Sequence, residues 1–255
     1  MSTLRPEKAL GQHFLRDPEV LADIAAIADG KHSGGILEIG PGEGALTAFL
    51  VEAGVPLVAI DKDPRALAAI AERFGGRVRG VLGDAATDDL GALLPGPGAV
   101  IVGNLPYNAA SAIHRRVLAL GTRVARAVLM FQREVALRLV AGPGSREYGI
   151  PSILTAVAAR SWMVRDVPPQ AFTPPPKVQS AVVLVEPLAT PLVAPADLEA
   201  FAAFLGTVFQ QRRKTLANAL GAKRHALEAV GIDGRLRAEQ VGPEAFIRLW
   251  RASLD

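Results

Sequence analysis

Asn104, Pro106 and Tyr107 stand together in the stretch GNLPY, where the apolar run Ala99 to Val102 ends. Pro106 has no N–H for a neighbouring strand to use, and it biases Leu105 toward extended backbone. The carbonyls beside it can then face outward, next to the acceptor on the Asn104 side chain. Tyr107 adds a flat face. Two acceptors and a ring suit a planar base with an exocyclic amino group. A tight turn with a half-buried tyrosine is the plainer alternative for the same residues.

A second group lies upstream. LEIGPGEGALT (37–47) follows an apolar run and opens a helix-like pattern. Gly40, Gly42 and Gly44 allow a tight turn and close backbone approach to a ligand. Their G-x-G-x-G spacing differs from the G-x-G-x-x-G of dinucleotide sites, and no Lys-Ser/Thr follows, as a phosphate loop requires. Asp61 ends the next apolar run, where an acid reaches a ribose hydroxyl pair. Asp84 ends the one after, placed for an adenine amino group. One such Asp is usually a cap or turn residue. Gly40, Asp61 and Asp84 at three successive strand ends form a row along one cleft.

Positioning that row requires alternating elements. Strands are predicted over 34–40, 56–61, 78–85, 98–106, 126–132 and 179–187. Helices are predicted over 44–54, 64–75 and 111–121, with a helix or strand pair in 152–168. This order predicts an α/β, Rossmann-like doubly wound sheet with ligand groups at the strands' carboxyl ends. Prolines at 187, 191 and 195 break the pattern, and helix-period segments follow. The expected division is therefore 1–189 for the sheet domain and 190–255 for a small, all-helical domain.

The 255 residues are half hydrophobic and contain no cysteine. Disulfides, thiolate metal sites and a cysteine nucleophile are excluded. His13, His32, His114 and His225 show no metal-ligand spacing, so no metal is expected. No signal-like apolar region or run of about 18 apolar residues occurs, so a soluble, intracellular protein without a membrane partner is expected. Net charge is +3. Arginines crowd the stretch from Ala110 to Arg165 and the knot QQRRKT (210–215), which suits a polyanionic partner. Solvated helix faces are the alternative.

Taken in order, LGQHFLRD (10–17), EIGPGEGALT (38–47), GDA (83–85), GNLPY (103–107), REVALRLVAGPGSREYG (133–149), VPPQAFTPPPKVQSAVV (167–183) and FQQRRKT (209–215) resemble the motifs of the small-subunit (16S-type) ribosomal RNA adenine dimethyltransferases. The likeness runs from Lys8 to Leu220. It implies S-adenosylmethionine as cofactor. His13, Leu15 and Gly42 would line it, Gly40 would approach its methionine part, Asp61 would hold the ribose, and Asp84 the adenine. Asn104 would sit where cofactor meets target base, beside Pro106 and Tyr107, with Phe172 as a second stacking face. Arg212, Arg213 and Lys214 would contact RNA phosphates, with Arg133 and Lys177 as further contacts. The implied reaction dimethylates two adjacent adenines near the 3′ end of 16S rRNA, in a pre-assembled small subunit in the cytoplasm, by a monomer.

Two residues depart from the family pattern. The ribose acid is usually Glu and here is Asp61, one methylene shorter, and the position of His13 is often Asn. Glu43 fills a variable slot and is assigned no role. Three other functions fit less well. A large-subunit dimethyltransferase of the macrolide-resistance type shares the cofactor motifs but resembles FTPPPKVQS and QRRKT less. A non-catalytic RNA-binding assembly factor would not need the intact Asn104, Pro106, Tyr107 and Asp84. An NAD-dependent oxidoreductase is disfavoured by the glycine spacing.

Overall fold

The apolar runs become strands in the predicted order. The computed structural model describes residues 4–7, 12–210 and 214–254. The strands are β1 (Phe14–Leu15), β2 (Ile36–Ile39), β3 (Leu57–Asp61), β4 (Val78–Leu82), β5 (Ala99–Asn104), β6 (Val124–Gln132), β7 (Ala159–Val167), β8 (Phe172–Thr173) and β9 (Ser180–Pro187). Among the described residues a seven-stranded sheet runs β4-β3-β2-β5-β6-β9-β7, and β1 pairs with β8 apart from it. Pairing is parallel from β4 through β6, and β9 returns antiparallel along β6. The chain runs outward from β2 through β3 to β4, then crosses to β5 on the other side of β2. That reversal opens a crevice beyond the carboxyl ends of β2 and β5, the usual ligand position in such sheets.

Local chemistry explains the helices between the strands. Asp17 caps α1 (Pro18–Ala28) by accepting from the Glu19 and Val20 amides, with Pro18 in the first turn. The predicted helix 44–54 is shorter than expected. Gly42 and Gly44 hold left-handed backbone at φ 54° and 77°, so α2 (Thr47–Leu50) begins only after them. A 3-10 turn, Val51–Ala53, then ends at Gly54. Asp63 caps α3 (Pro64–Phe74). After β4 come α4 (Leu90–Leu93), α5 (Ala110–Leu118) and α6 (Arg133–Val140). The ambiguous stretch 152–168 holds both element types: α7 (Ile150–Ala158) runs directly into β7.

The chain divides into two compact units, 1–136 with 162–187, and 137–161 with 188–255. The second unit thus includes a segment inside the range 1–189 expected for the sheet domain. The physical reason is α7, whose Ile153, Leu154 and Val157 are buried. They pack with α8 (Leu198–Phe209) and α11 (Pro243–Ala252). The shorter helices α9 (Leu216–Leu220) and α10 (His225–Val230) lie between those two in sequence. The buried Tyr148 hydroxyl donates to the Val241 carbonyl at 2.8 Å, and the Gly144 amide to the Glu239 carbonyl. Tyr148→Phe leaves that carbonyl without its donor and should cost about 1 kcal/mol. Thermal unfolding, followed by circular dichroism, measures it.

Candidate active site

A cleft opens at the switch point, walled by the ends of β2, β3, β4 and β5 and by residues 12–16. Its glycines differ in what they serve. A Cβ on Gly42 would lie 2.9 Å from the Phe14 ring, and one on Gly44 would lie 2.6 Å from the Phe74 ring. Those two are glycine for packing as well as for backbone angle. Gly40, at φ 71°, needs glycine for its angle, yet a Cβ there would meet only the Asn104 carbonyl, at 3.6 Å. The protein leaves the space above Gly40 open.

Asp61 and Asp84 both reach this cleft, as their strand-end positions predict. Asp61 accepts from the Asp63 amide at 2.9 Å and the Gly42 amide at 3.4 Å. Burial nevertheless lifts its pKa above the usual carboxylate value. A further donor, such as a diol, would relieve that cost. Burial also acts to raise Asp84, but the Ala86 amide and the Lys62 ammonium outweigh it and hold the carboxyl low. Lys62 Nζ lies 3.0 Å from Asp84 Oδ2. Each carboxylate retains lone pairs for a ligand.

Glu38 also lines the cleft and is 1 % exposed. Thr47 Oγ1 donates to it at 2.7 Å. Burial lifts its pKa from 4.5 to about 7. The folded protein then holds a proton that the unfolded chain releases between pH 4.5 and 7. Stability therefore falls as pH rises through that window, by up to about 3 kcal/mol. Glu38→Gln removes the ionisation and keeps the acceptor for Thr47. It should raise the melting temperature by several degrees at pH 8 and change little at pH 4.5, as scanning calorimetry at both values checks.

The fourth strand end carries Asn104, Pro106 and Tyr107 into the same cleft. Asn104 Nδ2 donates to the His13 carbonyl at 2.9 Å. Its Oδ1 accepts from no group among the described residues. The Pro106 carbonyl accepts from the Ala109 amide at 3.0 Å, so one of its two lone pairs is engaged and the other is open. Tyr107 is half-buried. Its hydroxyl shares a 2.8 Å hydrogen bond with the buried Ser180 Oγ, and its ring stacks on His13 with centroids 5.6 Å apart and planes 25° from parallel.

Phe172 departs from the expected clamp. It is 3 % exposed and belongs to the core. The β1–β8 register gives the reason: Leu15 faces Phe172 and Phe14 faces Thr173, so Leu15 and Phe172 turn inward together. Leu15 is 4 % exposed and touches both core and cleft. Of the expected RNA contacts, Arg212 and Arg213 lie outside the described residues. Lys177 and Lys214 are exposed. Arg133 Nε donates to Asp166 at 2.8 Å, so part of its guanidinium is engaged.

Several cleft groups escaped the sequence reading. Glu38 carried a signal, a lone carboxylate inside the apolar strand ILEI. Glu43 joins the N-terminal segment to the glycine turn by accepting from the Leu4 amide and from Arg16. Gln12 does the same through Asp63, at 3.0 Å. Arg65, with Gln12, holds the Asp63 carboxyl down to about 2. Nothing in the spacing of these residues announces pairs so distant in sequence. No helix of the described residues is long and apolar enough to cross a membrane, and no cluster among them could hold a metal ion.

The ribosomal RNA adenine dimethylase family matches residues 4–252. A protein named ribosomal RNA small subunit methyltransferase A from Chelativorans sp. (strain BNC1) is 44% identical over 254 residues, covering 96% of this chain and 92% of that one. Its namesake from Brucella abortus biovar 1 (strain 9-941) is 42% identical over 260 residues, covering 98% and 94%. Among solved structures, the 23S rRNA methyltransferase ErmE is similar with a TM-score of 0.71 and 28% identity, covering 95% of this chain and all of that one. A dimethyladenosine transferase from Plasmodium falciparum shares the fold, with a TM-score of 0.79 and 24% identity over 93% of this chain and 96% of that one. The match takes in every cleft residue described above, and the chain belongs to the ribosomal RNA adenine dimethylase family.

Proposed function

We propose that the protein transfers methyl groups from S-adenosylmethionine to the exocyclic amino groups of two adjacent adenines near the 3′ end of small-subunit ribosomal RNA. One observation carries the reading. The Asn104 amide, its donor side taken by the His13 carbonyl, sits at the end of a cleft that also holds Gly40, Asp61 and Asp84. The donor set fits S-adenosylmethionine: open space over Gly40 for the methionine part, and carboxylates at two successive strand ends for the ribose and the adenine. The relatives named as small-subunit enzymes support the choice of substrate.

When bound, S-adenosylmethionine supplies an electrophilic methyl group on a sulfonium. The residues of the chain supply alignment. An adenine amino nitrogen is a weak nucleophile because its lone pair is delocalised into the ring. Asn104 Oδ1 and the open lone pair of the Pro106 carbonyl accept the two amino hydrogens. That favours a pyramidal nitrogen with its lone pair directed at the methyl. Tyr107 offers a face to the extruded base, with its ring fixed at the hydroxyl by Ser180. The amino proton becomes acidic only after transfer, so no strong base is needed beforehand. Lys214, Lys177, Arg212 and Arg213 contact phosphates, with a lesser share from Arg133. The proposal includes action on a pre-assembled small subunit, in the cytoplasm and as a monomer.

The likeness to a 23S rRNA methyltransferase keeps one other substrate in view. Transfer of labelled methyl to small and large subunits lacking adenine dimethylation tests both. Dimethyladenine confined to the 3′ region of the small-subunit RNA is the expected result. Label in the large subunit would move the assignment there. Cofactor-independent binding with no label on either subunit would make the protein a non-catalytic assembly factor.

A further inference from the structure

We infer that His13 is a positioning residue for methyl transfer, which sets the orientation of the Asn104 amide and the place of the Tyr107 ring. The inference rests on the function proposed above. Family resemblance puts His13 against the cofactor, and His13 does line the cleft, but its hydrogen bonds and ring contact run to Asn104, Pro174 and Tyr107. The two ends of a side-chain amide are chemically distinct, and only Nδ2 can pair with a carbonyl oxygen. The His13 carbonyl, 2.9 Å from Asn104 Nδ2, therefore selects one of the two amide orientations. Turning the amide over would set two acceptors against each other. The selected orientation is the one that leaves Oδ1 to accept from a target amine.

The carbonyl can do this because His13 is itself held from three sides. The next two residues, Phe14 and Leu15, pair with Thr173 and Phe172. Its ring Nδ1, which must carry a hydrogen to face a carbonyl, donates to the Pro174 oxygen at 2.8 Å. The ring face lies along Tyr107. One residue thus connects both acceptor-bearing and stacking parts of the GNLPY stretch to the segment around Pro174. With Phe172 buried in the core, His13 is the aromatic neighbour that Tyr107 has among the described residues.

The test compares His13→Ala, His13→Asn, Asn104→Asp and the double variant His13→Ala/Asn104→Asp, each shown by its melting curve to be fully folded at the assay temperature. Labelled transfer to small subunits gives kcat and KM, and calorimetric titration gives cofactor Kd. His13→Ala should lower kcat about tenfold through loss of alignment, with cofactor Kd within about twofold. His13→Asn keeps a donor for the Pro174 oxygen and should recover most of kcat. Asn104→Asp keeps an acceptor but removes the donor that the His13 carbonyl holds. In that background His13→Ala should cost less than about twofold more, since the coupled interaction is already gone. A His13→Ala variant with raised cofactor Kd and unchanged kcat would make His13 a wall of the cofactor site and overturn the inference. So would fully additive losses in the double variant. Either result leaves transfer by the unsubstituted protein intact, and with it the proposed function. No transfer by the unsubstituted protein would overturn both.

Discussion

On the proposed function, Asn104→Ala is expected to lower the rate of methyl transfer about 10³-fold while small-subunit binding stays within about twofold. The magnitude follows from what the side chain supplies. An acceptor aimed at developing positive charge in a water-poor cleft is the mirror of an oxyanion-hole donor, whose loss costs about 10²–10³ in kcat. Loss of alignment adds to this, because the target amino group then keeps one hydrogen-bond acceptor of two. Binding changes little because RNA affinity comes mainly from phosphate contacts, and the amide makes none. The fold tolerates the change. Asn104 is half-buried at a strand end, and the bond it loses to the His13 carbonyl is worth about 1 kcal/mol. Single-turnover transfer and filter binding on the same subunits separate the two quantities. Equal losses in both would mean that Asn104 holds the RNA rather than the reacting nitrogen.

Gly44→Ala has the largest expected effect on stability. Gly44 sits at φ 77°, where an L-residue pays roughly 1–2 kcal/mol. The added methyl would also lie 2.6 Å from Phe74 Cε2 and 2.9 Å from Ile70 Cδ1. Both belong to α3 and are buried in the core, so neither can swing into solvent. Overpacking of this kind costs roughly another 1–3 kcal/mol. The sum, about 2–5 kcal/mol, corresponds to a fall of roughly 4–20 °C in melting temperature for a chain of this size. On the proposed function, cofactor affinity should fall with it, because the same turn carries Gly40 and Gly42. Gly54→Ala is the control: φ is 70° but no atom lies within 4 Å of the added carbon, so only the backbone cost remains. A melting temperature lowered equally by the two variants would show that the Phe74 contact yields without cost.

Strands β2, β3 and β5 were legible because parallel strands buried on both faces must be nearly all apolar. Glycine and aspartate at their ends were equally visible. The row Gly40, Asp61, Asp84, Asn104 could be drawn before any coordinates, since sheet topology converts strand ends into neighbours. The pairing of β1 with β8 was not legible. Two-residue strands carry no periodicity, and their register depends on a loop more than 150 residues away. That register is what turns Phe172 inward. The role of Glu43 was hidden for a related reason: an ion pair between Arg16 and the glycine turn leaves no trace in local spacing. The unit boundary escaped because Pro187, Pro191 and Pro195 mark the break strongly, whereas the excursion at 137–161 begins inside α6 and ends inside β7, where the sequence shows no punctuation.

That excursion bears on the order of synthesis. Helix α7 leaves the ribosome with Ile153, Leu154 and Val157 exposed, and one of its partners, α11, is made only after α8, α9 and α10. At about 5–20 residues per second the apolar face waits several seconds for cover. β6 waits as well, since its antiparallel neighbour β9 follows the excursion. The strands β2 to β5 need neither and can pair at once. The nascent chain therefore builds the crevice end of the sheet, with its glycine turn and GNLPY stretch, before it can close the sheet's other side or bury α7. A nascent chain stalled before residue 188 would carry Asn104 in place and an uncovered α7, and would be a target for chaperones that bind apolar helices.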